Sequence, residues 1–176
     1  MNKIIKFIFL IVMLAVPVAI FMFLRFFGTN KFDVDIYYQN GVDSTVGANC
    51  NFPEGQFYVQ EELLVNPSQS INVVGFSKAM PSLEFVNMAK RLNQLFANKG
   101  VAVELISETA LKPNNYELSQ VTTPELAPVL NCSFVMSDIN QVVLVDQERR
   151  IRGYYDLDLD EVDRLIVEIN ILLDNR

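Results

Sequence analysis

The chain begins with one long apolar run, after which short apolar runs alternate with polar turns. Phe7 to Leu24 are 18 consecutive uncharged, mostly apolar residues, flanked by Lys3 and Lys6 before the run and by Arg25 after it. A helix rises about 1.5 Å per residue, so this run and its apolar neighbours reach roughly 30 Å, the thickness of a bilayer's hydrocarbon core. The pattern predicts that residues 1–27 form a membrane anchor helix, with residues 4–27 in the lipid bilayer.

A cleaved signal peptide is the alternative interpretation of this run. Its apolar core would be shorter and would end at a small-x-small site. Here the run ends in Arg25-Phe26-Phe27-Gly28, with no such site and no cysteine close behind it, which favours an uncleaved anchor. The positive charge is slightly greater before the run than after it. We therefore expect a single pass through a bacterial inner membrane, with the C-terminal domain in the periplasm.

The segment that follows is polar and short of regular pattern. Residues 28–56 are rich in Gly, Asn, Asp and Ser, which predicts an extracytoplasmic stalk with loops, and the alternating piece Phe32 to Tyr37 predicts a short edge strand within it. Phe57 to Val65 is predicted to be a strand. The folded domain is predicted to occupy residues 57–176.

From residue 71 onward, apolar residues follow strand and helix periods in turn. The predicted strands are Ile71 to Phe76, Val101 to Ser107, Val142 to Val145 and Ile151 to Tyr155; the predicted helices are Pro81 to Asn98, Thr123 to Val129 and Leu159 to Leu173. The order is strand, helix, strand, helix, hairpin, helix. This is the α/β thioredoxin-like layout, a central mixed sheet with flanking helices, although other α/β sandwiches share it.

Charge narrows the possible partners. Beyond residue 27 the chain has 11 Lys and Arg against 21 Asp and Glu, a net charge of −10. Nucleic acid and anionic membrane surfaces both require positive charge, so neither is expected as a partner. An acidic exterior fits basic protein surfaces, or serves solubility alone.

Two segments resemble the SenC/Sco family. Val142 to Leu173, with its Leu-Val-Asp strand, its Arg-Ile-Arg-Gly-Tyr-Tyr strand and its Asp-Arg-Leu-Ile helix, is similar to the family's C-terminal third. The opening, a membrane helix followed by Phe32 to Val42, is similar to bacterial membrane-anchored members, and the helix Asn87 to Leu92 adds to the resemblance. It implies a thioredoxin-like domain that serves copper delivery or thiol handling during cytochrome oxidase assembly. The implied partners are membrane proteins, among them the respiratory oxidase or its assembly factors.

The family's copper ligands are missing from this chain. They are a Cys-x-x-x-Cys after the first core strand and a distant His, and alignment on the proline places Met80 at the first cysteine and Glu84 at the second. The chain contains no His. The residues Met136-Ser137-Asp138 stand in the region, a few residues before Val142, where the family's His would be expected. The resemblance therefore implies a degenerate member, a non-catalytic binding, assembly or structural component associated with a respiratory (cytochrome oxidase) complex. We expect no catalytic residue, no metal, no cofactor and no enzymatic activity.

Cys50 and Cys132 are the only cysteines, and neither lies at a predicted helix N-terminus. A thiol catalyst needs a low-pKa thiolate, usually at such a position. In an oxidising compartment the two could form a structural disulfide, which would stabilise the fold by about 4 kcal/mol through loop closure. Two unrelated buried thiols are the open alternative.

Other functions stay open as hypotheses. Copper(I) could bind Met80, Met88, Met136 and Cys132, since thioether and thiolate groups suit this ion. The alternative function is then a copper metallochaperone or a thiol-disulfide oxidoreductase with atypical ligands. Glu84 and Glu104 could be a carboxylate pair, although nothing in their spacing brings them together. The run Glu148 to Arg152 is predicted to be a solvated hairpin turn or a protein contact. A generic envelope anchor is a further hypothesis.

Overall fold

The computed structural model describes residues 3–27, 33–43, 50–65, 67, 71–111 and 118–175. The chain divides into two compact units, Met1–Phe32 and Asp33–Arg176. The first contains helix α1 (Lys3–Phe27), with Pro17 inside it. Its stretch Lys3–Phe23 is long and apolar enough to cross a membrane, in agreement with the predicted N-terminal apolar helix.

The second unit is built on a five-stranded mixed sheet. Its strands are β1 (Ile71–Ser77), β2 (Val101–Ser107), β3 (Ser119–Thr122), β4 (Gln141–Val145) and β5 (Ile151–Asp156), in the order β3-β2-β1-β4-β5. β1, β2 and β3 run parallel, whereas β4 is antiparallel to β1 and β5 is antiparallel to β4. The helices are α2 (Leu83–Leu95), the single turn α3 (Leu126–Pro128), which continues as a π-helical turn (Val129–Ser133), and α4 (Leu159–Asp174).

Strand alternation divides the core between the two faces of this sheet. On one face, α2 and α4 pack on Ile71, Val73, Val103, Leu105, Val142 and Leu144. On the other, the residues from Phe57 to Leu64 and the turn that follows α3 pack on Val74, Phe76, Ile106, Val143 and Val145. Because both faces are covered, β1 is buried along its whole length, which explains why its sequence is a nearly continuous apolar run.

Gly75 in the middle of β1 lets α2 approach the sheet closely. A Cβ atom at this position would overlap the ring of Phe85, in the first turn of α2. The glycine thus creates the space in which Phe85 packs, at 3% exposure. This contact fixes the start of α2 against the end of β1, where the candidate site lies.

Most predicted elements agree with the structure, and the differences have local causes. Phe57 to Val65 is not a strand: Phe57 and Val59 are buried as alternation implied, but Glu61–Leu63 is a 3-10 turn. β3 was not predicted, because its four residues are mostly polar and form an edge. Leu83 and Leu159 lie within predicted helices but are 69% and 77% exposed, since each is the first residue of its helix.

The folded unit begins earlier than the predicted boundary at residue 57. Val34 is buried, and the Tyr37 amide donates to the carbonyl of Ile151 at 2.9 Å. Residues 33–43 and 50–56 of the predicted stalk therefore pack as part of the domain, although no β-strand forms in those residues. Residues 28–32 and 44–49 of the predicted stalk, including Phe32 of the predicted edge strand, lie outside the described residues.

Candidate functional site

The loop Lys78–Ser82 connects the carboxyl end of β1 to α2, the position predicted for a reactive loop. The Ser77 hydroxyl donates to the carbonyl of Met80 at 2.6 Å. The Ser82 side chain caps α2 by accepting a hydrogen bond from the amide of Phe85 at 3.2 Å, as serine does at a helix start. Both ends of the loop are thereby held by side-chain hydrogen bonds.

A polar network beneath this loop supports it. The Gln120 side-chain amide donates to the hydroxyl of Ser107 at 2.6 Å and to the carbonyl of Thr109 at 2.8 Å. The Thr109 hydroxyl in turn donates to the carbonyl of Lys78 at 3.4 Å. Ser107 is fully buried, and buried polar groups need such partners. The loop is thus joined to β2 and β3 as well as to its own helix.

A groove of about 440 Å³ lies beside the loop. One wall is formed by Ser77, Met80 and Ser82, and the other by Asn140 and Gln141 at the start of β4. Met80 is 68% exposed. The groove therefore presents the exposed Met80 beside further apolar side chains, among them Ile139 and Leu157, with Lys78 and hydroxyl and amide groups around them.

Met80 and Glu84, at the predicted positions of the family's ligands, are both exposed at the start of α2. The residues of the copper hypothesis are not brought together: Met88 is buried on one face of the sheet and Met136 on the other, and Cys132 is bonded to Cys50. Glu104 is buried and accepts from the amide of Val65 at 3.0 Å, whereas Glu84 is exposed. Among the described residues, no group of three or more His, Cys, Asp or Glu could hold a metal ion.

Cys50 and Cys132 form a disulfide with a Cα–Cα distance of 5.3 Å. It joins the N-terminal segment of the domain to the π-helical turn after α3, on the face of the sheet opposite α2. Both cysteines are partly exposed. Of the two alternatives for these residues, the disulfide is the one present in the structure.

A tyrosine cluster joins the same two segments near the disulfide. The Tyr154 hydroxyl donates to the carbonyl of Phe134 at 2.7 Å and lies 3.3 Å from the hydroxyl of Tyr38. The rings of Tyr37 and Tyr154 meet edge to face at 5.4 Å. Burial, followed by the hydrogen bond with Tyr38, raises the pKa of Tyr154 well above its ordinary value. Neighbouring Tyr155 donates to Glu168 at 2.5 Å, and burial with this bond likewise raises its pKa.

We expect these two tyrosines to make the free energy of unfolding fall in alkaline solution. A raised pKa in the folded protein means that the stabilisation is complete below pH 10, the ordinary tyrosine pKa, and is lost as the pH rises above it, because only the unfolded chain then ionises. We expect a loss of up to about 1.4 kcal/mol per pH unit for each of the two tyrosines. Urea unfolding of the full chain in detergent between pH 9 and about 11.5 measures the slope. An unchanged slope in the Tyr154→Phe/Tyr155→Phe variant would contradict this assignment.

Arg152 is the residue that sequence reasoning placed wrongly. The sequence predicts a solvated hairpin turn or a protein contact for Glu148–Arg152, yet the side chain of Arg152 is only 4% exposed. It donates to Asp146 at 3.1 Å, to Asp33 at 3.0 Å and to the carbonyl of Val34. Asp146 also accepts from Arg150 at 2.8 Å. Arg152 lies on β5 beside the segment that begins the domain. Its hydrogen bonds therefore connect residues 33 and 34 to the β4–β5 hairpin.

Comparison with known proteins identifies the fold. No protein-family model and no curated protein matches the chain. Similar solved structures include the thioredoxin domain of a thiol-disulfide oxidoreductase from Bacteroides vulgatus (16% identity, 61% of this chain and 84% of that chain, TM-score 0.48). BsSco, a member of the Sco family of cytochrome c oxidase assembly proteins, is similar at 15% identity, 68% and 92% coverage and TM-score 0.46. A Sco/SenC-family lipoprotein from Bacillus anthracis is similar at 14% identity, 60% and 83% coverage and TM-score 0.44.

The protein therefore has a thioredoxin-like α/β fold, with a mixed sheet and flanking helices, as the sequence predicted. The similar structures include both Sco-type proteins and thiol:disulfide interchange proteins. At identities this low, the similarity concerns the fold.

The prediction that the chain is not an enzyme needs correction. Most of the similar structures are thiol:disulfide interchange proteins or oxidoreductases, an enzymatic class, and this finding contradicts it. The absence of thiols at Met80 and Glu84 is not sufficient to exclude that class. The chain keeps a cysteine pair elsewhere on the fold, at Cys50 and Cys132, so the composition of one loop does not decide the class.

Proposed function

We propose that this chain is a membrane-anchored assembly protein of Sco type, which binds a segment of a partner membrane protein in the groove beside Met80. The observation that carries the proposal is the exposed Met80 on a loop whose two ends are fixed by Ser77 and Ser82. A preformed loop loses little conformational freedom on binding. An exposed methionine adapts its shape to the surface that it meets.

The groove supplies backbone-directed contacts as well as apolar ones. Asn140 and Gln141 line the groove together with the loop, and Gln141 is already oriented by its hydrogen bond to Asp156 at 2.9 Å. Amide side chains can both donate to and accept from a peptide backbone. An extended segment with one apolar side chain toward Met80 fits this chemistry.

The setting of the proposal is the periplasmic side of a bacterial inner membrane. α1 supplies the membrane span, and a disulfide between the two cysteines suits an oxidising compartment. The resemblance to the SenC/Sco family suggests the respiratory oxidase, or one of its assembly factors, as the partner. Nucleic acid is not proposed, because the domain is acidic.

Co-purification from detergent-solubilised membranes tests this function. The full chain and its Met80→Asp variant are compared with Val167→Asp, a matched control at a 58% exposed position of α4 that does not line the groove. We expect wild type and control to retain the same oxidase or assembly subunits and Met80→Asp to lose most of them. The proposal fails if wild type retains no membrane-protein partner, or if Met80→Asp retains the same ones.

Thiol–disulfide exchange through Cys50 and Cys132 is a second candidate function. Its supporting observation is that both cysteines of the bond are partly exposed, so that a partner thiolate could attack a sulfur atom and form a mixed disulfide, with the other sulfur leaving as a thiolate. An insulin-reduction assay with dithiothreitol separates the two functions. Exchange predicts turnover that disappears in Cys50→Ser/Cys132→Ser, whereas equal rates for both proteins would exclude it.

A further inference from the structure

A second, larger cleft lies between the residues Glu84 to Arg91 of α2 and the start of α4. Its volume is about 980 Å³, and its lining includes the apolar side chains of Met88, Leu157 and Leu159. Leu159 is 77% exposed. Leu157 also lines the groove beside Met80, so the groove and this cleft adjoin at that residue.

The walls of the cleft are acidic. The carboxylates that line it are Glu84, Asp156, Asp158, Asp160 and Glu161. Arg91 is the one Lys or Arg among the lining residues, and it already pairs with Asp163 at 2.6 Å.

Few of these carboxylates have a cation to balance them. Glu161 pairs with Arg164 at 2.7 Å, and Asp158 caps α4 by accepting from the amide of Glu161. Within the residues that the structure describes, no Lys or Arg forms an ion pair with Glu84 or Asp160. The cleft therefore combines an exposed leucine with uncompensated negative charge.

We propose that this cleft binds a Lys- or Arg-bearing segment of the partner, with a large apolar residue of that segment on Leu157 and Leu159. The inference rests on the proposed function, since the partner held beside Met80 would continue into this cleft. Charge complementarity favours a basic segment and disfavours an acidic one. The apolar lining adds the burial that a purely electrostatic contact lacks.

Short synthetic peptides test the inference on the full chain in phosphatidylcholine nanodiscs, whose net charge is zero. The probe is a serine-based peptide carrying lysine and leucine, and its counterpart carries glutamate in place of each lysine. Fluorescence anisotropy gives both affinities for wild type and for Glu84→Gln/Asp160→Asn. The matched control is Glu61→Gln/Glu62→Gln, which removes two exposed charges from the 3-10 turn. Empty nanodiscs provide the blank.

We expect the lysine peptide to bind more tightly than the glutamate peptide, and its affinity to fall about fivefold in the cleft variant. The control variant should bind within about twofold of wild type. Equal affinity for both peptides, or an equal loss in the two variants, overturns the inference. If Met80→Asp loses its membrane partners while the cleft variant keeps both its partners and its peptide affinity, the proposed function stands and this inference alone falls.

Discussion

Removing the Cys50–Cys132 disulfide is expected to lower the free energy of unfolding by about 4 kcal/mol. The bond joins residues 82 positions apart, and a cross-link that closes so long a loop restricts the unfolded chain strongly. The Cys50→Ala/Cys132→Ala variant removes it with little loss of packing, because both positions are partly exposed. Urea unfolding of the full chain in nonionic detergent, followed by tyrosine fluorescence since the chain has no Trp, measures the change.

Reduction provides the matched control for this prediction. In dithiothreitol, wild type and the double-alanine variant should unfold at nearly the same urea concentration, because neither then contains the cross-link. Without dithiothreitol, wild type should be more stable than the double-alanine variant. The prediction is wrong if the oxidised and reduced wild-type proteins have the same midpoint.

Replacing Arg152 by Ala is expected to destabilise the domain by about 3 kcal/mol. The substitution leaves Asp146, whose side chain is 8% exposed, without one of its two arginine partners, and removing one member of a buried ion pair commonly costs 3–5 kcal/mol. The lower end of this range applies because Arg150 and the amides of Glu148 and Arg150 still contact Asp146. The Arg152→Ala substitution also removes the hydrogen bonds that Arg152 donates to Asp33 and to the carbonyl of Val34.

Arg91→Ala is the matched control, since it removes an arginine from an exposed ion pair with Asp163. Exposed pairs contribute little, so a change within about 0.5 kcal/mol is expected. Hydrogen exchange should also show faster exchange around residues 34–38 in Arg152→Ala. Similar unfolding free energies for the two variants would contradict the structural role given to Arg152.

The fold was predictable where apolar periodicity is strong and local. β1 and β2 are buried runs of β-branched and apolar residues, and their ends were predicted within one residue. α4 has a buried stripe of Val162, Leu165 and Ile169. Each of these elements buries apolar side chains against the rest of the domain, so its apolar pattern can be recognised without knowledge of what it packs against.

Features that depend on distant contacts were harder to predict. Arg152 lies in a run whose other charged residues, Glu148 to Arg150, are more exposed, and the segment at Asp33 and Val34 that contacts it is 119 and 118 residues away in the sequence. The early start of the domain has the same origin: the residues around Val34 and Tyr37 have polar neighbours and pack against β5 and against Phe57, which are distant in the sequence. The groove and the cleft at the start of α2 form where this helix meets residues at the starts of β4 and α4. Apolar periodicity does not predict which of these segments are neighbours in space.

For the candidate site, the sequence correctly placed the loop but did not reveal its surroundings. A Pro after an apolar strand and before a helical pattern was sufficient to place Met80 at the start of α2. The wall of Asn140 and Gln141 lies in β4 and the residue before it, about 60 residues further along the chain. The acidic cleft combines the starts of two helices that no sequence motif connects.

The central claim is that the membrane-anchored chain engages a membrane-protein partner at the groove beside Met80, and site-specific photo-crosslinking in living cells tests it most directly. A photoreactive residue replaces Met80 in one version of the full chain and Val167 in another, and the adducts are identified by mass spectrometry. We expect position 80 to form an adduct with a respiratory oxidase subunit or assembly factor, and position 167 to form none with that protein. The account is contradicted if position 80 yields no membrane-protein adduct, or if both positions yield the same ones.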